Sequence, residues 1–177
     1  MSDRSGQARA LTIFTPVRSG EEHALLEYLS GLPRGAGSPF AASDRTHVAR
    51  WLVLDRLPDY CVPRQDRLRR QHLLFSASFD GDERSYLEGL TNLLLPHLPA
   101  VWGRCEDFPG VQSRSGFVDW LLAHRVRTSF FFAAYGDATL RDVRNALAAR
   151  EQALAFALRA QTLEPNARLE AFRAAFP

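Results

Sequence analysis

From residue 73 to residue 79 the chain alternates. Leu73, Phe75, Ala77 and Phe79 stand against Leu74, Ser76 and Ser78, the period-two pattern of a strand. Asp80-Gly81 breaks the alternation, and Tyr86, Leu87, Leu90 and Leu94 then recur at the spacing of an amphipathic helix. Asp80 is placed to cap that helix, with Glu83 three residues on to reach back to the cap amide. The pattern predicts a strand, a tight turn and a helix folded back over the strand.

The same reading extends in both directions. Residues 11–17 (LTIFTPV) form a first strand, with Pro16 marking its end or a sheet edge. Ser19-Gly20-Glu21-Glu22 reads as a capping box for a helix carrying Leu25, Leu26 and Leu29, stopped by Gly31 and Pro33. The stretch PRGAGSPFAASD reads as a flexible solvent loop, with an active-site lid as the alternative. Residues 46–54 form a second strand, His47, Ala49, Trp51 and Val53 on one face and Thr46, Val48, Arg50, Leu52 and Leu54 on the other. Both faces are largely apolar, as in a central strand covered on both sides. The polar connection 55–71, with four arginines in PRQDRLRRQ, reads as a solvated loop.

Beyond the second helix, Pro96 and Pro99 bracket a turn, and 100–106 (AVWGRCE) reads as a fourth strand. A helix around 116–124 carries Phe117, Trp120, Leu121 and His124 on one face, and 128–135 (TSFFFAAY) reads as a fifth strand. Gly136-Asp137 turns the chain into a long helix through Leu158 with Leu140, Val143, Leu147, Leu154 and Leu158 as its core face; a short helix runs from Glu164-Pro165 to near Phe176. Residues 1–9 read as a disordered leader and 10–177 as a single α+β domain, with a βαββαβ core at 10–107 and a helix-strand-helix extension at 108–177. FSASFDGDERSYLEGL and FFAAYGDATLRDVRNAL share one layout of aromatic strand, Gly-Asp turn and capped helix, which turn and cap chemistry imposes on any such unit; an ancestral duplication is the other reading.

Composition narrows the function classes. An apolar fraction of 46% and a charged fraction of 24% over 177 residues suit one globular domain. Every one of the 22 basic residues is Arg, so Schiff-base and P-loop lysine chemistry is excluded. A formal net charge of +2, with both signs interspersed, does not make the basic face of a nucleic-acid binder. Cys61 and Cys105 have neither metal-ligand spacing nor the makings of a disulfide framework. The opening MSDRSGQARA lacks the apolar run of a secretory signal, and no segment reaches the ~18 apolar residues of a membrane span. The expected setting is the cytoplasm, away from membranes. No GxGxxG, GxSxG, HExxH, P-loop or CxxC motif is present.

Single polar residues in apolar surroundings are then the candidates: His47, Arg50, Trp51, Glu106 and His124 as ligand-binding groups. Arg50, in an apolar strand, must reach solvent at an edge or meet a carboxylate, because an unpaired buried charge is costly. His47 on the opposite face has the same choice between structural pairing and a substrate role. Glu106 can act as a general base if the sheet end opens into a pocket. A thiol at Cys105 beside Glu106 and Asp107 is disfavoured as thiolate, hence as nucleophile. His124, on an apolar helix face, reads as a satisfied core histidine or, more sharply, as an axial haem ligand. Asp80 and Asp82 read as helix caps, and His72 and His97 lack a second ligand for a metal.

The βαββαβ order over 10–107 resembles the dimeric α+β barrel superfamily of ferredoxin-like folds, whose members include small monooxygenases, EthD-like proteins, chlorite dismutases and dye-decolorizing peroxidases. FDGD at the strand end is similar in its Gly-and-Asp turn to the peroxidases' GxxDG motif, without matching it residue for residue. The resemblance implies a homodimer with a cleft for a small apolar or anionic ligand between sheet and helices. It carries over no catalytic residue. The expected function is therefore small-molecule binding, as such or as a minor enzyme of specialised or oxidative metabolism. The rival is a non-catalytic protein-interaction or assembly module using the Arg-rich loop 64–70 and exposed aromatics.

Overall fold

The alternating stretch at 73–79 lies in the middle of the sheet in the computed structural model, which describes residues 3–57 and 66–176. Strands β1 (Arg4–Ser5), β2 (Ala8–Pro16), β3 (Thr46–Leu57) and β4 (Asp66–Asp80) pair antiparallel in the order β1-β2-β4-β3. Phe75 on β4 faces Ile13 on one side and Trp51 on the other. Helix α1 (Glu22–Ser30) joins β2 to β3, which run in the same direction with β4 between them. After β4 come α2 (Glu83–Leu93), α3 (Leu98–Val101), a 3-10 turn at Trp102–Arg104 and α4 (Arg114–Ala123). The architecture is α+β.

One face of the sheet is covered. Leu11, Ile13 and Val17 from β2 and just beyond it, with Leu73, Phe75 and Phe79 from β4, form one core with Leu25 of α1, Leu87 and Leu90 of α2, Leu98 and Val101 of α3, and Phe117 and Leu121 of α4. Complete burial of such side chains contributes about 1.5–3 kcal/mol each. The other face is open at β3, where Val48 and Leu52 are 62% and 41% exposed.

That asymmetry corrects the reading of β3 as a central strand. It is an edge strand, and its outward residues face solvent. An irregularity between Thr46 and Val48 also takes Thr46 out of the simple alternation. Thr46 is buried and its hydroxyl meets the Tyr86 hydroxyl at 3.0 Å. The loop expected at 55–71 is shorter than its polarity suggests: β3 continues to Leu57 and β4 begins at Asp66, so residues 66–70 of the Arg-rich stretch are strand, while 64 and 65 lie outside the described residues. Backbone pairing along the hairpin overrides the polar composition.

The predicted fourth strand at 100–106 is replaced by α3 and the 3-10 turn. Leu94, Leu98, Val101, Trp102 and Cys105 are all buried, and their spacing of four, seven, eight and eleven is helical, a longer-range period than a seven-residue window reveals. Cys105 meets the sheet as a bridge to Val17, and Glu106 N–H donates to the Pro16 carbonyl at 2.9 Å. The outer edge of β2 is thus covered piecemeal, by β1, by a bridge from Arg125 to Ile13, and by Cys105.

The predicted fifth strand at 128–135 does not form either; Phe130 there is 83% exposed. Both ends of the stretch are tied to the β2 side of the sheet, Val126 N–H donating to the Thr12 carbonyl at 2.8 Å and Gln7 N–H to the Gly136 carbonyl. Gly6, at φ +63°, lies so close to Gly136 that a Cβ there would collide with the Gly136 carbonyl. Residues 3–9, expected as a disordered leader, hold β1 and the start of β2.

Two helix starts also differ from expectation. Of the two aspartates read as caps of α2, Asp82 is the N-cap, its carboxylate accepting from Ser85 N–H at 3.0 Å, while Asp80 instead accepts from His47 Nε2. The N-cap of α1 is Glu21 rather than Ser19, and its side chain makes no cap hydrogen bond; Glu22 instead accepts from Gly20 N–H at 2.7 Å.

Residues 140–177 separate from 1–139 as a second compact unit, where the sequence reading has one domain over 10–177. It consists of α5 (Leu140–Ala160) and α6 (Pro165–Ala175), joined through an aromatic cluster of Phe156, Phe172 and Phe176. The leucine face expected as core is not: no residue of α5 is buried, and Leu147, Leu154 and Leu158 are more than half exposed. Phe156, two residues from Leu154, lies on the other side of the helix, and α6 packs there. No helix of the described residues is long and apolar enough to cross a membrane.

Candidate functional site

The edge position of β3 creates the opening that concerns function. A cavity of about 270 Å³ is lined by Leu29 of α1, by Leu32, Pro33, Arg34, Ser38, Pro39 and Phe40 of the following connection, and by Ala49, Arg50 and Trp51 of β3. Gly31 and Pro33 end α1 and send the chain back along the sheet edge. Phe40 then returns inward, its ring 4.6 Å from Trp51 and 6.2 Å from Phe75. This loop, expected as a flexible solvent segment, is held at its far end by a network. Arg45 donates to the Asp80 carbonyl at 2.8 Å, to Ser85 Oγ at 3.0 Å and to the Asp82 carbonyl at 3.0 Å. Gly81, at φ +88°, gives that guanidinium room, since a Cβ there would lie 2.7 Å from Nη2.

Arg50 and Trp51 are consecutive on a strand, so their side chains leave opposite faces. Both are nevertheless among the residues that line the cavity. Trp51 contributes an aromatic wall backed by Trp102 at 5.7 Å, and its buried Nε1 has no acceptor among the described residues. Arg50 lies across from Ser76 and is exposed. The structure therefore brings two of the five sequence candidates to one place.

The other three stand apart from it. His47 Nε2–H donates to Asp80 Oδ1 at 2.7 Å, a pairing of the start of β3 with the end of β4. Glu106 pairs with Arg70 of β4. His124 is the C-cap of α4; its Nδ1–H donates to the Trp120 carbonyl at 2.9 Å, and its ring lies 4.6 Å from that of Trp120. No group of three or more His, Cys, Asp or Glu among the described residues is arranged to hold a metal ion.

Two further polar clusters were not legible in sequence. Ser43, Thr46 and Tyr86 form a hydroxyl chain with steps of 2.7 and 3.0 Å beside a second cavity of about 140 Å³. Burial pushes the Tyr86 phenol up to about 12, so it stays protonated and ties loop to helix rather than acting as a base. Arg125 donates to Glu83 at 2.7 Å and to Asp3 at 2.9 Å, locking the outer sheet edge to α2. Burial raises the Glu83 carboxyl above its ordinary value against the pull of Arg125. Cys105 is likewise pushed up to about 11 by burial, with Thr15 Oγ1 3.2 Å from its sulfur, and remains a thiol. Its neighbours Glu106 and Asp107 are not the cause.

Arg34 and Phe40 escape sequence reading because their part in the cavity depends on where a Gly/Pro/Ser-rich loop runs. The signal available is the single aromatic residue in that loop, which a purely solvated segment has no need of. No family model matches the chain, and no curated protein or solved structure is significantly similar to it.

Proposed function

We propose that the chain binds a small, largely apolar molecule in the cavity beside β3, and that it does so as a homodimer of the dimeric α+β barrel type. The observation that carries the binding reading is the aromatic wall of Phe40 and Trp51, with Arg50 in the same lining. Apolar walls with few polar groups are the usual make-up of small-ligand sites, and about 270 Å³ is near the lower end of their size range. The order β2-α1-β3-β4-α2 supplies the first five elements of the ferredoxin-like pattern, and the exposed Val48 and Leu52 offer an apolar sheet face for a second copy. The polar side chains of the lining are Arg34, Ser38 and Arg50. No carboxylate or imidazole is among them, so binding, rather than acid–base catalysis, is the reading they support.

Native mass spectrometry of the purified full-length chain, with thermal melting against a metabolite panel, tests this. A co-purifying small molecule or a ligand-induced rise in melting temperature is expected, and Arg50→Met should keep or raise the stability of the empty protein while removing the ligand effect. A protein that is empty and unmoved by the panel overturns the reading.

A protein-interaction module is the second reading. It is favoured by the uncovered leucines of α5 and by Phe130, Phe132 and Tyr135, all exposed. A stoichiometric protein partner retained through purification, with no small molecule, would decide for it.

A further inference from the structure

Six arginines of the first unit are held by carbonyls, hydroxyls or carboxylates within it. Arg18 donates to the Gly103 carbonyl, Arg45 to Asp80, Asp82 and Ser85, Arg70 pairs with Glu106, Arg84 with Asp119, Arg104 with Glu21, and Arg125 with Asp3 and Glu83. Arg34 and Arg50 have no ion-pair or hydrogen-bond partner among the described residues, and they line the same cavity. The lining carries no acidic residue to neutralise them. Two uncompensated arginines in the lining of an aromatic-walled cavity give it a local positive potential that an apolar ligand alone would leave unused.

Resting on the small-molecule reading above, we infer that the ligand is a planar aromatic or conjugated carboxylate, its ring against Phe40 and Trp51 and its carboxylate between Arg34 and Arg50. A guanidinium donates two parallel N–H groups, which match the two oxygens of a carboxylate. The rings of Phe40 and Trp51, tilted 46° to each other, offer a planar body one stacked and one edge-on contact, the two favoured aromatic geometries. The volume limits that body to about two fused rings.

The test is titration of the full-length protein with 2-naphthoate and with its neutral isostere 2-naphthalenemethanol, followed by calorimetry and by tryptophan fluorescence, with Trp51→Phe locating the optical signal. 2-Naphthoate should bind at least about tenfold more tightly than the alcohol, as a hydrogen bond to a charged group warrants. Its affinity should fall in Arg34→Met and in Arg50→Met, neither with a lowered melting temperature, and should weaken with added salt. Equal binding of acid and alcohol would overturn the carboxylate inference and leave the small-molecule reading standing. Absence of binding by both, in a wild-type protein that melts cooperatively, would overturn the inference and count against the cavity as a ligand site. Arg→Met variants that bind 2-naphthoate as tightly as the parent would remove the two arginines from the site.

Discussion

The stretches 75–90 and 131–147 are written in the same grammar and fold differently. Counting back six residues from the turn glycine reaches Phe75 at the start of one and Phe130, the residue just before the other. Phe75 has no solvent exposure, and Phe130 is 83% exposed. The first stretch lies in β4, paired with β2 on one side and β3 on the other. The second runs past an edge where only the two-residue β1 stands. The helices repeat the contrast: α2 buries Tyr86, Leu87 and Leu90 against the sheet, whereas α5 buries none of its residues. Aromatic alternation and helical leucines therefore state a readiness to be buried. Whether burial happens depends on what the rest of the chain puts opposite.

The sharpest way to break this comparison is a pair of truncations in the strand-like segments. Phe75→Ala should cost about 3–5 kcal/mol, and Phe130→Ala should stay within about 0.5 kcal/mol, as surface changes do. Chemical denaturation of both variants measures the difference; comparable losses would mean that 128–135 is packed after all.

The helices offer a smaller contrast. Leu87→Ala should cost about 2–5 kcal/mol, and Leu154→Ala about 0.5 kcal/mol or less, its exposed side chain leaving no cavity behind. Should Leu154→Ala also destabilise strongly, or lower the oligomeric mass in light scattering, the leucine face of α5 has a partner in solution.

The smallest effect concerns the start of α2, where neighbouring carboxylates respond to acid in opposite senses. Asp82 is held below its ordinary value, chiefly by the Ser85 amide it caps. Its contribution is complete above the unfolded-state value and is lost as pH falls through the lowered one. Glu83 is held above its ordinary value by burial, so its ionised form costs stability at neutral pH, and acidification through the raised value relieves that cost. Asp82→Asn should therefore flatten the acid-side loss of stability below the ordinary carboxylate range, and Glu83→Gln should remove a gain just above it. Thermal melts from pH 3 to 7, in about half-unit steps, would show curves shifted in opposite directions. Parallel curves would contradict the cap and burial assignments.

Part of this structure was fixed by local patterns. The strand–turn–helix of 73–94, the first strand and helix, the helix near 114–123 and the two C-terminal helices follow from periods of two and 3.6 with their caps and breakers. The dependence of Arg50 on an edge or a carboxylate follows from the cost of burying an unpaired charge. Tertiary structure decided what those periods cannot express. It placed β3 at the edge rather than the centre, because β4 pairs with both β2 and β3 and nothing in a strand's own sequence says which of its edges is taken. It turned 98–105 into helix and turn, because Leu98, Val101, Trp102 and Cys105, at helical spacing from Leu94, could all enter the core that way. It left 128–135 without a strand, and it brought Arg34 and Phe40 to Arg50 and Trp51 across a loop of low periodicity. A sequence fixes which side chains seek burial or a counter-charge; the pairing of elements far apart in the chain determines which of them find it.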